Sequence, residues 1–105
     1  MGMWARVTTV QGAAGQSQED LEKNTAMLKE QMLPAIRGVA GIKGVLSLAD
    51  LQSGKGITIT LWENEEVLRA SEDAANQIRA QAADLSAAEV VSVERYQVVL
   101  DLPVS

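Results

Sequence analysis

Between residues 57 and 62 the chain reads Ile57-Thr58-Ile59-Thr60-Leu61-Trp62, with an aliphatic side chain at every odd position and Thr, Thr and Trp between them. A period of two is the side-chain repeat of a pleated strand, so this run is a β-strand with one aliphatic face and one face of Thr and Trp. A half-apolar strand is stable only within a sheet whose aliphatic side is covered, so the rest of the chain must supply partners.

Those partners are legible on both sides of the run. Met3 to Val10 is rich in β-branched residues and ends in the loop-like Gln11-Gly12-Ala13-Ala14-Gly15, which predicts a first strand. Ser17, with Asp20 three residues on, resembles a capping box. Leu21, Thr25, Leu28, Met32 and Ile36 then recur at helical spacing. Pro34 is expected to bend or end that first helix, and Gly38 and Gly41 supply stop signals. Val45 to Ala49 predicts a second strand, joined to the third by a hairpin at Gln52-Ser53-Gly54-Lys55-Gly56. Glu63 to Ala83 changes to helical spacing, with Val67, Ser71, Ala74, Ile78 and Ala82 on one stripe. Val90 to Leu102, closed by Pro103, predicts a last strand of unusual length.

The order βαββαβ is that of a ferredoxin-like α+β domain with an antiparallel sheet, and 105 residues suffice for one domain over 1–105. Right-handed crossovers are expected to place the first and third strands side by side and parallel. Both helices are expected on the face bearing Ala5, Val7, Ile57, Ile59 and Leu61. The opposite face is expected to carry Trp4, Arg6, Thr8, Thr58, Thr60 and Trp62, joined by Ser92, Glu94 and Tyr96. Left open, such an aromatic face favours pairing with a second copy, so the expected assembly is a homodimer, a dimeric α/β barrel in which the long last strand reaches the partner's edge.

Composition narrows the chemistry. Nine basic against fourteen acidic residues give a net charge of −5, without the basic stripe that nucleic-acid binding requires. The chain has no Cys and no His, which removes thiolate nucleophiles, imidazole bases and the usual zinc ligands; no metal site and no cofactor are expected. Charged residues interrupt every apolar stretch short of a bilayer span, and no signal sequence is evident, so no membrane association and a cytoplasmic location are expected.

Leu61-Trp62-Glu63-Asn64-Glu65-Glu66, with Pro34 through Gly44 ahead of the second strand, resembles the dimeric α/β-barrel superfamily, particularly the antibiotic biosynthesis monooxygenases. The resemblance implies an architecture whose members include cofactor-independent oxygenases of polyketide-like phenols, haem-degrading enzymes and isomerases. Many catalytic members carry a His or Trp nine residues after the strand-end Trp, where this chain has Ser71. With no His anywhere, haem degradation is disfavoured.

The candidate ligand-binding residues are Trp4, Arg6, Thr60, Trp62, Glu94 and Tyr96. The two Trp side chains could stack an aromatic ligand or fill the dimer seam. Arg6 and Glu94 could face one cavity, as oxyanion stabiliser and base, or form a plain cross-strand ion pair. Asn64 and Ser71 read as capping or packing residues, and the charges from Glu63 to Asp73 as a solvated helix face. Two functions stand side by side: a barrel binding a small apolar or aromatic molecule, with cofactor-independent oxygenation as its enzymatic form, and a non-catalytic dimeric scaffold with a packed interior.

Overall fold

In the computed structural model, which describes residues 2–12, 14–15, 17–74, 76–77, 80 and 89–102, the alternating run lies within the strand β3, Lys55–Trp62. It is flanked by β1, Trp4–Gln11, and by β2, Ile42–Ala49, with β4, Glu89–Gln97, beyond β1. The sheet order is β2-β3-β1-β4, and every adjacent pair is antiparallel. With α1, Gln18–Arg37, and α2, Glu65–Ala70, this is an α+β ferredoxin-like fold.

The first and third strands are neighbours, as expected, but antiparallel. The crossover over α1 makes β1 parallel to β2, which is not its neighbour; the hairpin then reverses the chain, so β3 runs against β1. That hairpin closes through Gly54 N–H donating to Asp50 O at 2.9 Å and Asp50 N–H donating to Lys55 O at 2.9 Å.

The helix α1 starts where the capping pattern places it, with Ser17 Oγ accepting from Asp20 N–H at 3.1 Å. Pro34 does not end it. So close to the C-terminus its missing amide removes one of the last hydrogen bonds, and the helix runs on to Arg37, where Gly38 N–H donates to Ala35 O. Asn64 caps α2, its Oδ1 accepting from Val67 N–H at 2.9 Å, and α2 breaks at Ser71 before residues 72–74 continue helical. Ile78 and Ala82 of the expected stripe lie outside the described residues. The strand β4 stops at Gln97 rather than reaching Leu102, because its partner begins at Trp4: after the Trp4–Gln97 pair one further bond, Val98 N–H to Met3 O, closes the ladder.

The face covered by α2 is the opposite of the expected one. The Arg6 and Trp62 side chains lie beneath α2 and are buried, whereas Leu46 and Leu48 on the aliphatic face are about half exposed. Within one chain the buried apolar set among the described residues is Ala5, Trp62 and Leu68. No described helix is long and apolar enough to cross a membrane.

Between α1 and β2 the backbone turns at Gly41, with φ +83°, and presses on α2: a Cβ there would sit 2.7 Å from Val67 Cβ. Gly15 shares the left-handed conformation, at φ +74°, with nothing within 4 Å. Gly15→Ala should therefore cost only the backbone term, about 1–2 kcal/mol. Gly41→Ala should cost roughly 1–3 kcal/mol more from overpacking. Urea unfolding of the two variants checks the difference.

Candidate functional site

β1 and β4 place Arg6 directly opposite Arg95 on the face beneath α2. Like charges opposed across two strands repel, so this arrangement requires an anion. It is Glu72, just beyond the break at Ser71. Its carboxylate accepts from Arg95 Nε at 2.6 Å and Arg95 Nη2 at 2.8 Å, and pairs with Arg6 Nη2 at 3.2 Å. The two-pronged bond from Arg95, with the weaker bond from Arg6, holds the Glu72 carboxyl well below the usual range, at about 2, against the opposing effect of burial. The same Glu72 contact raises the Arg95 pKa.

Arg6 is the more deeply set of the two cations, its side chain only 3% exposed. Nη2 also donates to Leu68 O at 2.9 Å and to Ser71 Oγ at 3.3 Å, and the guanidinium lies over the Trp62 ring, 5.1 Å from its centroid. Trp62 in turn donates from Nε1 to Thr60 Oγ1 at 2.9 Å. Arg6 Nε is buried without a partner.

Of the sequence candidates, the sheet register therefore brings Trp4, Arg6, Thr60 and Trp62 onto one face and sets Glu94 and Tyr96 on the other. Arg6 and Glu94 do not share a cavity. Antiparallel partners point the same way, and Glu94 faces Val7 while Tyr96 faces Ala5. A bulge beside Thr9 and Val10 shifts the register of β4 there, so Val90 and Val93 both pair with residues of the Arg6 face. Ser92 lies opposite Thr9, on the open face. Sequence reading missed Glu72 and Arg95. The available signal was a second Arg, at Arg95, in a strand otherwise rich in Val.

Trp62 and Arg6 fill the space beneath α2, and the open volume lies beside them. A cavity of about 520 Å³ separates the end of α1 from α2, lined by Pro34, Val39, Val67, Ala70 and Ala74 among others, with Ser71 and Gln77 the polar side chains among the described residues. Ser71 links it to the buried cluster, donating to Leu68 O at 2.7 Å while accepting from Arg6. Among the described residues no group of three or more acidic side chains is placed to hold a metal ion.

The Glu72 clamp carries a pH signature. Its carboxyl titrates lower in the folded chain, so its contribution is complete above the ordinary value of 4.5 and is lost as the pH falls towards about 2. At pH 7, Glu72→Gln should cost roughly 1.5–3 kcal/mol, the value of a hydrogen bond to a charged group. The gap to the parent protein, read by urea unfolding, should narrow below pH 4.5.

No protein-family model matches the chain. An uncharacterised protein of Mycobacterium tuberculosis, Rv2557, is 32% identical over 83 residues, 79% of this chain; the chain spans only 35% of that relative's length. Among solved structures, a dimeric ferredoxin-like protein from an uncultured marine organism matches at TM-score 0.66 and 12% identity, covering 97% of this chain and 100% of the other. A monooxygenase from the gene ActVA-Orf6 of Streptomyces coelicolor, in complex with the ligand nanaomycin D, matches at TM-score 0.66 and 15% identity, covering 99% of this chain and 93% of the other. At these identities the likeness establishes the fold, and the fold is that of the antibiotic biosynthesis monooxygenase-like, ferredoxin-fold proteins.

Proposed function

We propose that the chain binds a small, largely apolar molecule of the aromatic, polyketide-like class in the cavity between α1 and α2, as one half of a homodimer closed across its open sheet face. The observation that carries the reading is the cavity itself. Its volume of about 520 Å³ is that of a ligand site, and among the described residues its wall is mostly aliphatic, with Ser71 and Gln77 as polar side chains. The nanaomycin D complex of the Streptomyces monooxygenase on the same fold supports the ligand class.

The wall explains why binding is the better-supported half of the reading. Among the described residues its lining side chains are Pro34, Ala35, Val39, Ala40, Val67, Ala70, Ser71, Ala74 and Gln77, and none of these is an acid or base near neutral pH. Ser71 spends its hydroxyl proton on Leu68 O. Cofactor-independent oxygenation, the second reading, is supported by the likeness to the Streptomyces monooxygenase and would rely on a phenolate ligand electron-rich enough to react with oxygen. In the scaffold alternative the cavity has no ligand.

The dimer rests on the open face. Ile57, Ile59 and Leu61 share it with the half-exposed Leu46 and Leu48, and the buried apolar core of one chain is small. An aliphatic sheet face is costly to leave in water, and closed two-fold pairing is the commonest remedy. The dimeric ferredoxin-like neighbour matched along its whole length supports this assembly. Val99, Leu100 and Leu102, exposed beyond β4, would extend the contact.

Both parts are testable. In calorimetric titration and thermal unfolding, hydroxylated naphthoquinones and anthrones should stabilise the protein, by about 2.7 kcal/mol at a hundredfold excess over Kd. Ala70→Phe, which fills the cavity from an exposed helix position, should abolish the shift with the fold intact. Absence of any shift across the panel would favour the scaffold. Oxygen consumption with a bound phenol, lost in Ala70→Phe, would establish oxygenation. In light scattering Ile59→Asp, at the centre of the open face, should halve the mass of the dimer, because a carboxylate would otherwise be buried unpaired.

A further inference from the structure

Among the described residues around the cavity between α1 and α2, Ser71 is the buried one. It is 7% exposed, whereas the others, from Pro34 to Gln77, are half-buried or exposed, so Ser71 forms the floor. A serine hydroxyl offers one proton and two lone pairs. Here the proton goes to Leu68 O at 2.7 Å, and one lone pair takes Arg6 Nη2 at 3.3 Å. The second lone pair remains for the cavity, and it is an acceptor.

Resting on the ligand-binding reading above, we propose that Ser71 is the specificity-determining residue of the cavity: it selects ligands that donate a hydroxyl, such as phenols and hydroquinones, over ketones and quinones of the same shape. The reading needs the binding half of the proposed function and not oxygenation.

Two observations set the sign of the preference. The first is the hydrogen bonding of Ser71 itself. Turning its proton into the cavity to meet a ligand carbonyl would break the 2.7 Å bond to Leu68 O at the end of α2. A ligand hydroxyl breaks nothing, because it donates to the lone pair already facing it. The second is the direction of α1. Pro34, Ala35 and the cap Gly38 bring the C-terminal end of this 20-residue helix to the wall. The last carbonyl groups of a helix lack partners within it and carry the negative end of its dipole, which repels a ligand carbonyl and attracts a donor.

The nearby cations do not reverse this. Arg6 and Arg37 are not part of the wall, and the Arg6 charge is met by Glu72 at 3.2 Å. Gln77, exposed at the mouth, carries both a donor and an acceptor and favours neither class. The floor is therefore where discrimination arises, since an aromatic ligand that fills the cavity removes the water that would otherwise satisfy Ser71.

Calorimetric titration of the full chain with three compounds of similar size tests the proposal: 1-naphthol, a donor; 1-tetralone, an acceptor only; and 1-fluoronaphthalene, which is nearly neither. The parent should bind 1-naphthol about tenfold more tightly than 1-tetralone, the upper range for one hydrogen bond between neutral groups. Ser71→Ala should bring the two within about twofold, with 1-fluoronaphthalene binding unchanged, because the acceptor and nothing else of the floor is lost. Ser71→Cys keeps the shape but offers only a weak acceptor, so it should show the same loss and serves where Ser71→Ala does not fold. Equal affinities in the parent, or tighter 1-tetralone, would overturn the proposal and leave ligand binding standing. A 1-naphthol preference undiminished in both variants would also overturn it, by placing the acceptor elsewhere. Failure of the parent to bind any of the three would overturn the proposal together with the binding reading.

Discussion

Two arginines opposed across neighbouring strands set the terms for the rest of this structure. Arg6 and Arg95 occupy one register position of β1 and β4, and both project beneath α2. Neither could stay there without an anion, and Glu72 supplies one by bridging them. Removing charges from water is costly unless the geometry is good and the remaining protons find acceptors. Here Leu68 O, Ser71 Oγ and the Trp62 ring take up most of what Arg6 offers. The break at Ser71 belongs to the same arrangement, since Ser71 is the buried residue that caps α2 and touches the guanidinium just before Glu72.

That clamp decides the sidedness of the molecule. By fixing the polar and aromatic face of the sheet under α2, it leaves Leu46, Leu48, Ile57, Ile59 and Leu61 on the other side, where Leu46 and Leu48 stay about half exposed among the described residues. An inverted arrangement would have buried the aliphatic face and exposed Trp62. The observed one trades a larger apolar core for an ionic one, and it hands the aliphatic face to intermolecular contact. The cavity between α1 and α2 shares this origin: Trp62 and Arg6 fill the space under the helix, and the free volume lies beside it, where Gly38, Ala70 and Ala74 present little bulk.

Much of the local structure was legible because its causes are local. The period-two run specified β3, Ser17 and Asn64 announced their helices through hydrogen bonds to amides three residues on, and Gly54 marked the hairpin. The candidate site was legible only in part. Trp4, Arg6, Thr60 and Trp62 follow from strand parity on β1 and β3, and the register confirms that they share a face. Glu94 and Tyr96 did not follow, because β4 carries polar and apolar residues on both faces and is bulged, so alternation gives no unique answer there.

By itself, then, the sequence determined the elements, their order and the aliphatic composition of one sheet face, since propensity, capping and side-chain period act within a few residues. Which face the helices cover, which carboxylate neutralises the arginines and where a cavity opens were decided by the tertiary structure. Each depends on residues far apart in the chain: Arg6 meets Ser71 and Glu72 across more than sixty residues, and Pro34 meets Ala70 across the cavity. No local preference distinguishes Glu72 from the other acids of its helical stretch. Only the fold, by setting the buried Arg6 and the half-buried Arg95 beneath it, makes that one carboxylate the partner of both.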